Sequence, residues 1–583
     1  MPYSLVIQHK KNGNYYVYKS SFRENGKVRS KYVYLGNEGA ALKILADFNS
    51  KKPANERLLS LSGEEILAKV LEMLDFKNII SKAIQRDTKL DAGRFVEMIV
   101  VERALKSFSK WGLAAIAHGK SAFSLDPSIP MGKFTEANIY HYMDYLHPHL
   151  DAIQELLVEN LLRVSGLELS ELIIDGTSVS CFGDDETAGD DGEEEDSDGG
   201  AARARAPGDP GKYQQVKRVH GYSRAKRPDL AQVNLMLGVN GQSIPFFFQT
   251  FPGNAPDVFM FQSTLEKCQD HYSSLLTQIR SRYIVFDKGN NNPDNIKALD
   301  ALCRKWQFHF VASIRPSMAV VRKELLALAA GDAPVIYTQK KTVLRGKTVS
   351  LPLYGAQRNV MLYINEEIMA QKRAAFQEKV KQLTAEIRGL LEQDGPARDK
   401  AGKVESLLRK RGLLSCFTVQ VKKNAVTCTP VKEKLDAKQN ALGKYALMTD
   451  DVNLDAASIL RIYKATGVIE QEFHHLKSDL AISPIFHRKP DRIQVHFALI
   501  LWGMMALALL RCLLKEHSLD FTFEALRAKI QEGVVSIGDY IYPGGKSYRI
   551  RKSLNIGKEL KAIFQVLKIK WEYFEINQIS HYE

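Results

Sequence analysis

Cysteine is scarce and unpaired in this chain of 583 residues. The six cysteines (Cys181, Cys268, Cys303, Cys416, Cys428 and Cys512) are scattered, with no C-x-x-C spacing. That excludes a disulfide framework and a zinc knuckle, and it fits a reducing compartment. Long apolar runs are missing too. The longest, FALILWGMMALALL at 497–510, has 14 residues, which is too short for a bilayer and suits a buried core helix. The opening MPYSLVIQHKKNG meets charge too early for a signal peptide. No internal repeat is present. These absences describe a soluble, cytoplasmic protein with no membrane partner.

What is present is ordinary in amount and unusual in distribution. Hydrophobic content of 45% and charged content of 25% are those of a globular protein, and the length predicts more than one domain. The formal charge is +14. Residues 184–198 (DDETAGDDGEEEDSD) hold ten acids and no Lys or Arg, so the rest of the chain stands at about +24. Such an excess suits a polyanion, because each phosphate neutralised by Lys or Arg releases counterions. Charge alone does not separate DNA from RNA or from an anionic membrane.

Residues 3–35 alternate apolar and polar in two runs around Asn25-Gly26, a hairpin turn signal. Lys19, Arg23, Lys27, Arg29 and Lys31 line this hairpin, either as a solvated edge or as a DNA-contacting arm. Residues 60–165 read as helices. ELIIDGTSVSCF (171–182) reads as a buried strand, and the acidic, Gly-rich stretch after it as a disordered loop. A hairpin is predicted over 232–251, turning at Asn240-Gly241. A helix over 257–280, the strand SRYIVFDKGN (281–290), a helix over 293–305 and the strand FHFVASI (308–314) complete a βαβ-like pattern. Residues 320–450 interrupt it with strand-like pieces around a charged helical stretch.

Three acids stand out as candidates for chemistry. Asp175 follows LII and Asp287 follows YIVF, both at predicted strand ends where functional groups often project. Each equally suits a turn or helix cap. The third, Glu470, lies in YKATGVIEQEFHHLKSDL (463–480), with Tyr463 and Lys477 seven residues to either side. On one helix that spacing aligns all three, about 10 Å apart. Ile469, Phe473, Leu476 and Leu480 form the apolar stripe, and Glu470 lies about 90° from its centre, at the border of core and solvent. Three carboxylates brought together repel one another, and a divalent cation removes the difficulty. Magnesium takes carboxylate and water oxygens and leaves room for phosphate, and two such ions serve in-line phosphoryl displacement.

Taken together, these segments resemble the DDE transposases of insertion sequences, in the subgroup with a Y-x2-R-x3-E-x6-K signature. Tyr463, Glu470 and Lys477 match that spacing, while the Arg position holds Thr466. DGTS (175–178), HGYSRAKRPDL (220–230), FPGNAPD (251–257), FDKGN (286–290), GKYALMTDD (443–451) and SPIFHRKPDRIQVHFAL (483–499) look like the same subgroup. The resemblance covers about residues 170–510. It implies an α/β, ribonuclease-H-like mixed sheet flanked by helices, with Asp175 on its first strand, Asp287 on its fourth and Glu470 on a later helix. It also implies a β-rich insertion between Asp287 and Glu470, which stand 183 residues apart.

The implied activity is cleavage and strand transfer of DNA. Asp175, Asp287 and Glu470 would hold Mg2+, for which Mn2+ can substitute, and Tyr463, Lys477 and Thr466 would contact phosphates. Thr466 keeps a hydroxyl but lacks the bidentate charge of Arg, with Lys464 and Arg461 nearby to replace it. Asp229 and Asp257 are competing acids. The implied partners are double-stranded DNA, as element ends and as target, and further copies of the chain in a homodimer or larger synaptic complex.

The organisation expected is an N-terminal β-hairpin arm (1–50), a helical DNA-end-binding region (51–168) and a first catalytic part (169–319) with an acidic loop at 184–200. The β-rich insertion (320–450), the second catalytic part (451–515) and a C-terminal region (516–583) follow. Two other readings stand beside transposition: a DNA-binding descendant that does not cut, and a ribonuclease-H-like nuclease that cuts without joining.

Overall fold

Alternation over the first 36 residues builds three antiparallel strands, β1 (Tyr3–Lys10), β2 (Gly13–Glu24) and β3 (Lys27–Gly36). Helix α1 (Glu38–Ser50) and strand β4 (Asn55–Ser60) follow. The periodic apolar segments beyond form α2 (Ser62–Met73), α3 (Phe76–Ala83), α4 (Ala92–Lys106), α5 (Glu136–Leu146) and α6 (Leu150–Ser165). The Thr135 side chain caps α5 by accepting the Asn138 N–H.

Next come β5 (Leu172–Ser180), β6 (Gln232–Asn240) and β7 (Pro245–Pro252). At the β6–β7 turn, Asn240 Oδ1 accepts the N–H groups of Gln242 and Ile244. Then follow α7 (Asp257–His271), β8 (Tyr283–Phe286), α8 (Pro293–Trp306), β9 (His309–Ile314) and α9 (Ala319–Ala327). Asn292 caps α8, Pro293 occupies its first turn, and Gln307 ends it in a left-handed conformation.

Strands β10 (Val335–Gln339), β11 (Thr342–Leu353) and β12 (Ala356–Asn365) precede the long helix α10 (Glu366–Glu392) and its partner α11 (Ala397–Lys410). The ribbon β13 (Phe417–Lys422) and β14 (Ala425–Pro430), helix α12 (Lys432–Asn440) and strand β15 (Lys444–Thr449) come next. The chain continues through α13 (Ala456–Lys464), α14 (Thr466–His474), α15 (Pro490–Glu516) and α16 (Phe523–Ile530). It closes with β16 (Val534–Ile541), β17 (Ser547–Leu554), α17 (Lys558–Val566) and β18 (Phe574–Ile579).

This computed structural model describes residues 3–10, 13–24, 27–50, 53–60, 62–85, 91–106, 112, 131–165, 171–182, 216–223, 227–272, 282–340, 342–422, 425–541, 547–570 and 574–579. The Asn25-Gly26 turn, the acidic stretch 184–198 and the end of the helix expected over 257–280 lie outside these residues. The fold is mixed α/β with a large mixed sheet.

The chain forms two units, one of residues 1–168, 177–255 and 470–583, the other of residues 169–176 and 256–469. In the first, β4 pairs with β16 in the sheet β18-β17-β16-β4, so early and late segments share one layer. Helix α15 runs through this unit with its apolar residues inside. It is long and apolar enough to cross a membrane, yet 83% of its most apolar window is buried in protein, as a core helix should be. The 14-residue apolar run is its middle. Also in this unit, the later half of β5 lies beside β6, which pairs antiparallel with β7.

In the second unit the strand order is β10-β11-β12-β15-β9-β8 and then the first half of β5. β5, β8 and β9 are parallel, and β15, β12, β11 and β10 add antiparallel strands beyond them. β11 alternates cleanly only in its second half, at Val349, Leu351 and Leu353, while Arg345, Gly346 and Lys347 interrupt its first half. It forms because both its edges find partners. Helices α10 and α11 and the ribbon β13–β14 share a small core that includes Leu383, Ile387, Val404, Leu408 and Phe417.

Candidate active site

Strand β5 buries Leu172, Ile173 and Ile174, and Asp175 is the first residue of the run to reach partial exposure. In β8 the apolar residues Ile284, Val285 and Phe286 are buried, and the chain emerges at the exposed Asp287. The strands are parallel, with Leu172 opposite Ile284 and Ile173 opposite Val285. Carried on by two residues, that register sets Asp175 beside Asp287. They are on neighbouring strands spaced about 4.8 Å apart and on the same face. Asp175 Oδ1 accepts the Gly176 N–H at 2.7 Å.

The next strand supplies a residue that sequence reasoning missed. β8 pairs with β9 so that Phe286 faces Ala312, which brings Ser313 level with Asp287. The Ser313 hydroxyl donates to Asp287 Oδ1 and accepts the Lys288 N–H at 2.9 Å. Tyr463, at the end of α13, donates to the same oxygen at 3.3 Å. Ile459, Leu460 and Ile462 fix this helix by burying its other face, and Asp455 caps its start. Asp287 Oδ2 makes no hydrogen bond among the described residues. Ser313 was findable by assuming parallel register across the βαβ pattern.

The stretch 463–480 is not one straight helix. Ala465 N–H reaches back only three residues, to Ile462 O, and Val468 N–H to Ala465 O, which separates α13 from α14. Residues His475–Asp479 then form a wide π turn closed by Leu480 N–H on His475 O. Tight and wide turns rotate the chain differently from 100° per residue, so the seven-residue spacing no longer defines a single row. Thr466 contributes to the first break: its hydroxyl donates to Tyr463 O at 2.8 Å. Lys464 lies over the Tyr337 ring.

Glu470 is exposed on α14, at the first residue of the last segment of the first unit. Lys477 is half-buried in the π turn. The expected apolar stripe is in place, with Ile469, Phe473, Leu476 and Leu480 all buried.

A second missed residue, Glu472, sits on that stripe. It is 1% exposed, and its Oε2 has no hydrogen-bond partner. Burial pushes its carboxyl up to about 7, against the opposing pull of a Ser243 hydrogen bond and the Arg511 charge. An acid three residues after Ile469 and four before Leu476 was the available signal.

The competing acids have local partners. Asp229 is exposed and paired with Arg227, whose hydrogen bonds hold its carboxyl below the usual range. Asp257 lies in the first turn of α7.

Among the described residues, no group of three or more His, Cys, Asp or Glu side chains is placed to hold a metal ion. The pair at the strand ends does suit one: two carboxylates, with one oxygen of Asp287 unbonded, fit a hard divalent cation that fills its other positions with water and phosphate oxygens.

Comparison with curated proteins finds no match. The family model described as "Transposase DDE domain" matches residues 167–506, a span that includes β5, β8, β9, α13 and α14. Its members act on DNA in the cleavage and transfer steps of transposition and generally use divalent metal ions. Matched over more than half its length, with the strand-end aspartates inside the matched span, this chain belongs to the transposase DDE domain family.

Proposed function

We propose that the protein is the transposase of an insertion sequence, which binds the ends of its element, hydrolyses a strand there and transfers the freed 3′-hydroxyl to target DNA. The observation that carries this reading is the parallel register that sets Asp175 beside an exposed Asp287. The strand pattern supports a ribonuclease-H-like core. The first acid is on the first strand of the matched span, a hairpin follows it, and the second acid ends the next parallel strand.

Asp175 and Asp287, with Glu470 added from the sequence signature, are the residues to hold magnesium, or manganese in its place. When bound, such ions activate the attacking oxygen and stabilise charge on the scissile phosphate. Ser313 and Tyr463 fix the Asp287 carboxylate through Oδ1 and leave Oδ2 for ligation. A phenol has one proton, and Tyr463 gives its own to Asp287, so its part in positioning phosphate runs through that carboxylate. The Thr466 hydroxyl is committed to the Tyr463 carbonyl, and Lys477 is assigned to phosphate contact from the sequence signature alone. The N-terminal arm (1–50), a three-stranded sheet and a helix rather than the expected hairpin, and the helical region (51–168) supply end recognition, and the active form is a homodimer or larger synaptic complex. The setting is the prokaryotic cytoplasm, at the nucleoid.

The test is a strand-transfer assay with labelled element-end DNA, a target duplex and magnesium. Joined product from wild type and none from Asp287→Asn supports the proposal. Cleavage that survives Asp287→Asn sinks the site. Binding without cutting assigns the non-catalytic descendant, the reading that Thr466 favours, and cutting without joining assigns the nuclease.

A further inference from the structure

The ribbon of β13 and β14 has two unlike faces. Its strands pair antiparallel, with Phe417 opposite Pro430, Val419 opposite Cys428 and Val421 opposite Val426. Phe417, Val419 and Cys428 pack into the small core with Val404 and Leu408 of α11. The alternate positions Thr418, Gln420, Lys422, Thr427 and Thr429 are all exposed. Burial also falls along the core side, from Phe417 at 7% exposed, through half-buried Val419, to Val421 at 48%. The base of the ribbon is anchored, and its far end stands clear of that core.

A polar outer face is ordinary in a sheet packed on one side only. Two features set this one apart. Five of its six positions bear a hydrogen-bonding side chain and the sixth is Ala425, so it offers neither an apolar patch nor a carboxylate. Thr427 Oγ1 reaches Gln420 O at 3.5 Å. The side chains of Thr418, Gln420, Lys422 and Thr429 make no hydrogen bond or ion pair among the described residues.

The second feature is charge. Residues 406–432 hold six Lys or Arg and no Asp or Glu, the reverse of the acidic stretch at 184–198. Over 397–438, with the acids of α11 and α12 included, the count is eleven against four. Arg411 is paired with Glu386 of α10 at 2.9 Å. Arg409, Lys410, Lys422 and Lys432 are exposed and have no such pair among the described residues.

We propose that the β13–β14 ribbon enters the major groove of duplex DNA, with Thr418, Gln420 and Thr427 at base edges and Lys422 and Lys432 on phosphates. Strands of six residues make a ribbon about 20 Å long. The major groove, about 12 Å wide, admits two paired strands, and the minor groove, about 6 Å wide, does not. The Gln420 amide both donates and accepts, which matches the N6 and N7 edge of adenine. The cations supply the sequence-independent share of affinity by releasing counterions. The inference rests on the transposase reading in taking DNA as the partner, and it adds a contact which that reading does not include.

The test uses the full-length protein with two labelled duplexes, one of element-end sequence and one of random sequence. Dimethyl sulfate probes both grooves, since it methylates guanine N7 in the major groove and adenine N3 in the minor. Wild type should protect guanine N7 on at least one duplex. Gln420→Ala should reduce that protection and weaken binding to the same duplex about tenfold. Lys422→Ala should lower the slope of log affinity against log salt by about 1. An unchanged urea midpoint checks that each variant folds.

Protection, affinity and salt slope equal in wild type and both variants, on both duplexes, overturn the proposal. Gln420-dependent protection confined to adenine N3 does so too, because it puts the ribbon in the minor groove. Weaker self-association of the variants, with DNA affinity and salt slope unchanged, assigns the face to a second copy of the chain and also overturns it. If wild type still joins strands in the assay above, the transposase reading survives any of these losses. Gln420-dependent protection of guanine N7 without any joined product supports the ribbon and counts against that reading.

Discussion

The phenol of Tyr463 and the carboxylate of Asp287, 176 residues apart in sequence, meet in a hydrogen bond of 3.3 Å. This contact ties the end of α13 to the end of β8, and with Ser313 it fixes which oxygen of Asp287 stays open. Tyr463→Phe keeps the ring and removes only the donor. A hydrogen bond to a charged acceptor contributes roughly 1.5–3 kcal/mol, and this one is long. Strand joining should therefore slow about tenfold, with binding to element-end DNA unchanged. Single-turnover rates measure the first and a filter-binding titration the second. An unchanged joining rate would show that Asp287 is oriented without Tyr463.

Ser313 shares the oxygen that Tyr463 uses, so the two effects should not add. Ser313→Ala removes a donor from Asp287 Oδ1 and an acceptor from the Lys288 N–H. Alone it should slow joining by about the factor seen for Tyr463→Phe. Combined, the two changes should cost less than the product of the single effects, since either one already frees the carboxylate to turn. A double-mutant cycle on joining rates reads the difference. Full additivity would show that the two donors act independently.

Much of this arrangement was legible in the sequence, and the gaps have physical causes. Asp175 and Asp287 were visible because LII and YIVF are strand signals that stop at a charge. The hairpin at Asn240 was visible because its turn chemistry is local. Ser313 was not, since a serine at a strand end carries no signal until the parallel register of β8 and β9 is known. β11 was legible only in its second half, where Val349, Leu351 and Leu353 alternate; Arg345, Gly346 and Lys347 interrupt the pattern before them, and partners on both sides carry the strand through. The single helix over 463–480 failed because periodicity assumes a constant rotation. A three-residue back-bond at Ala465 and a π turn at His475–Asp479 leave no trace in apolar spacing. Glu472 was legible but unread: a charge on the buried stripe is itself the clue.

The core of the first unit holds a polar chain that should be costly to break. Trp502 Nε1 donates to Gln154 Oε1 at 2.8 Å, and Gln154 Nε2 donates to Phe246 O at 2.7 Å, linking α15, α6 and β7. Gln154 and Trp502 are both buried. Gln154→Leu leaves one buried donor and one buried acceptor unpaired, each at roughly 1–3 kcal/mol. The expected loss of stability is about 3 kcal/mol, seen as a lower urea midpoint with an unchanged slope. A shift under about 0.5 kcal/mol would mean that the pocket rearranges to satisfy both groups.

Glu472 should make stability depend on pH in a defined window. Its carboxyl ionises near 4.5 when unfolded and is pushed up to about 7 by burial in the folded protein. Below the lower value both states are protonated, and the group has no effect. Between the two, the unfolded chain releases the proton while the folded one keeps it, so stability falls as pH rises. Above about 7 the loss is complete, at roughly 3 kcal/mol. Glu472→Gln keeps the shape and cannot ionise. Its melting temperature should match wild type near pH 4.5 and exceed it progressively up to about pH 7, with the gap constant beyond. Other buried acids, such as Glu65, cancel in the difference because both proteins carry them. Parallel curves across the window would show that Glu472 reaches water or a counter-charge when it ionises.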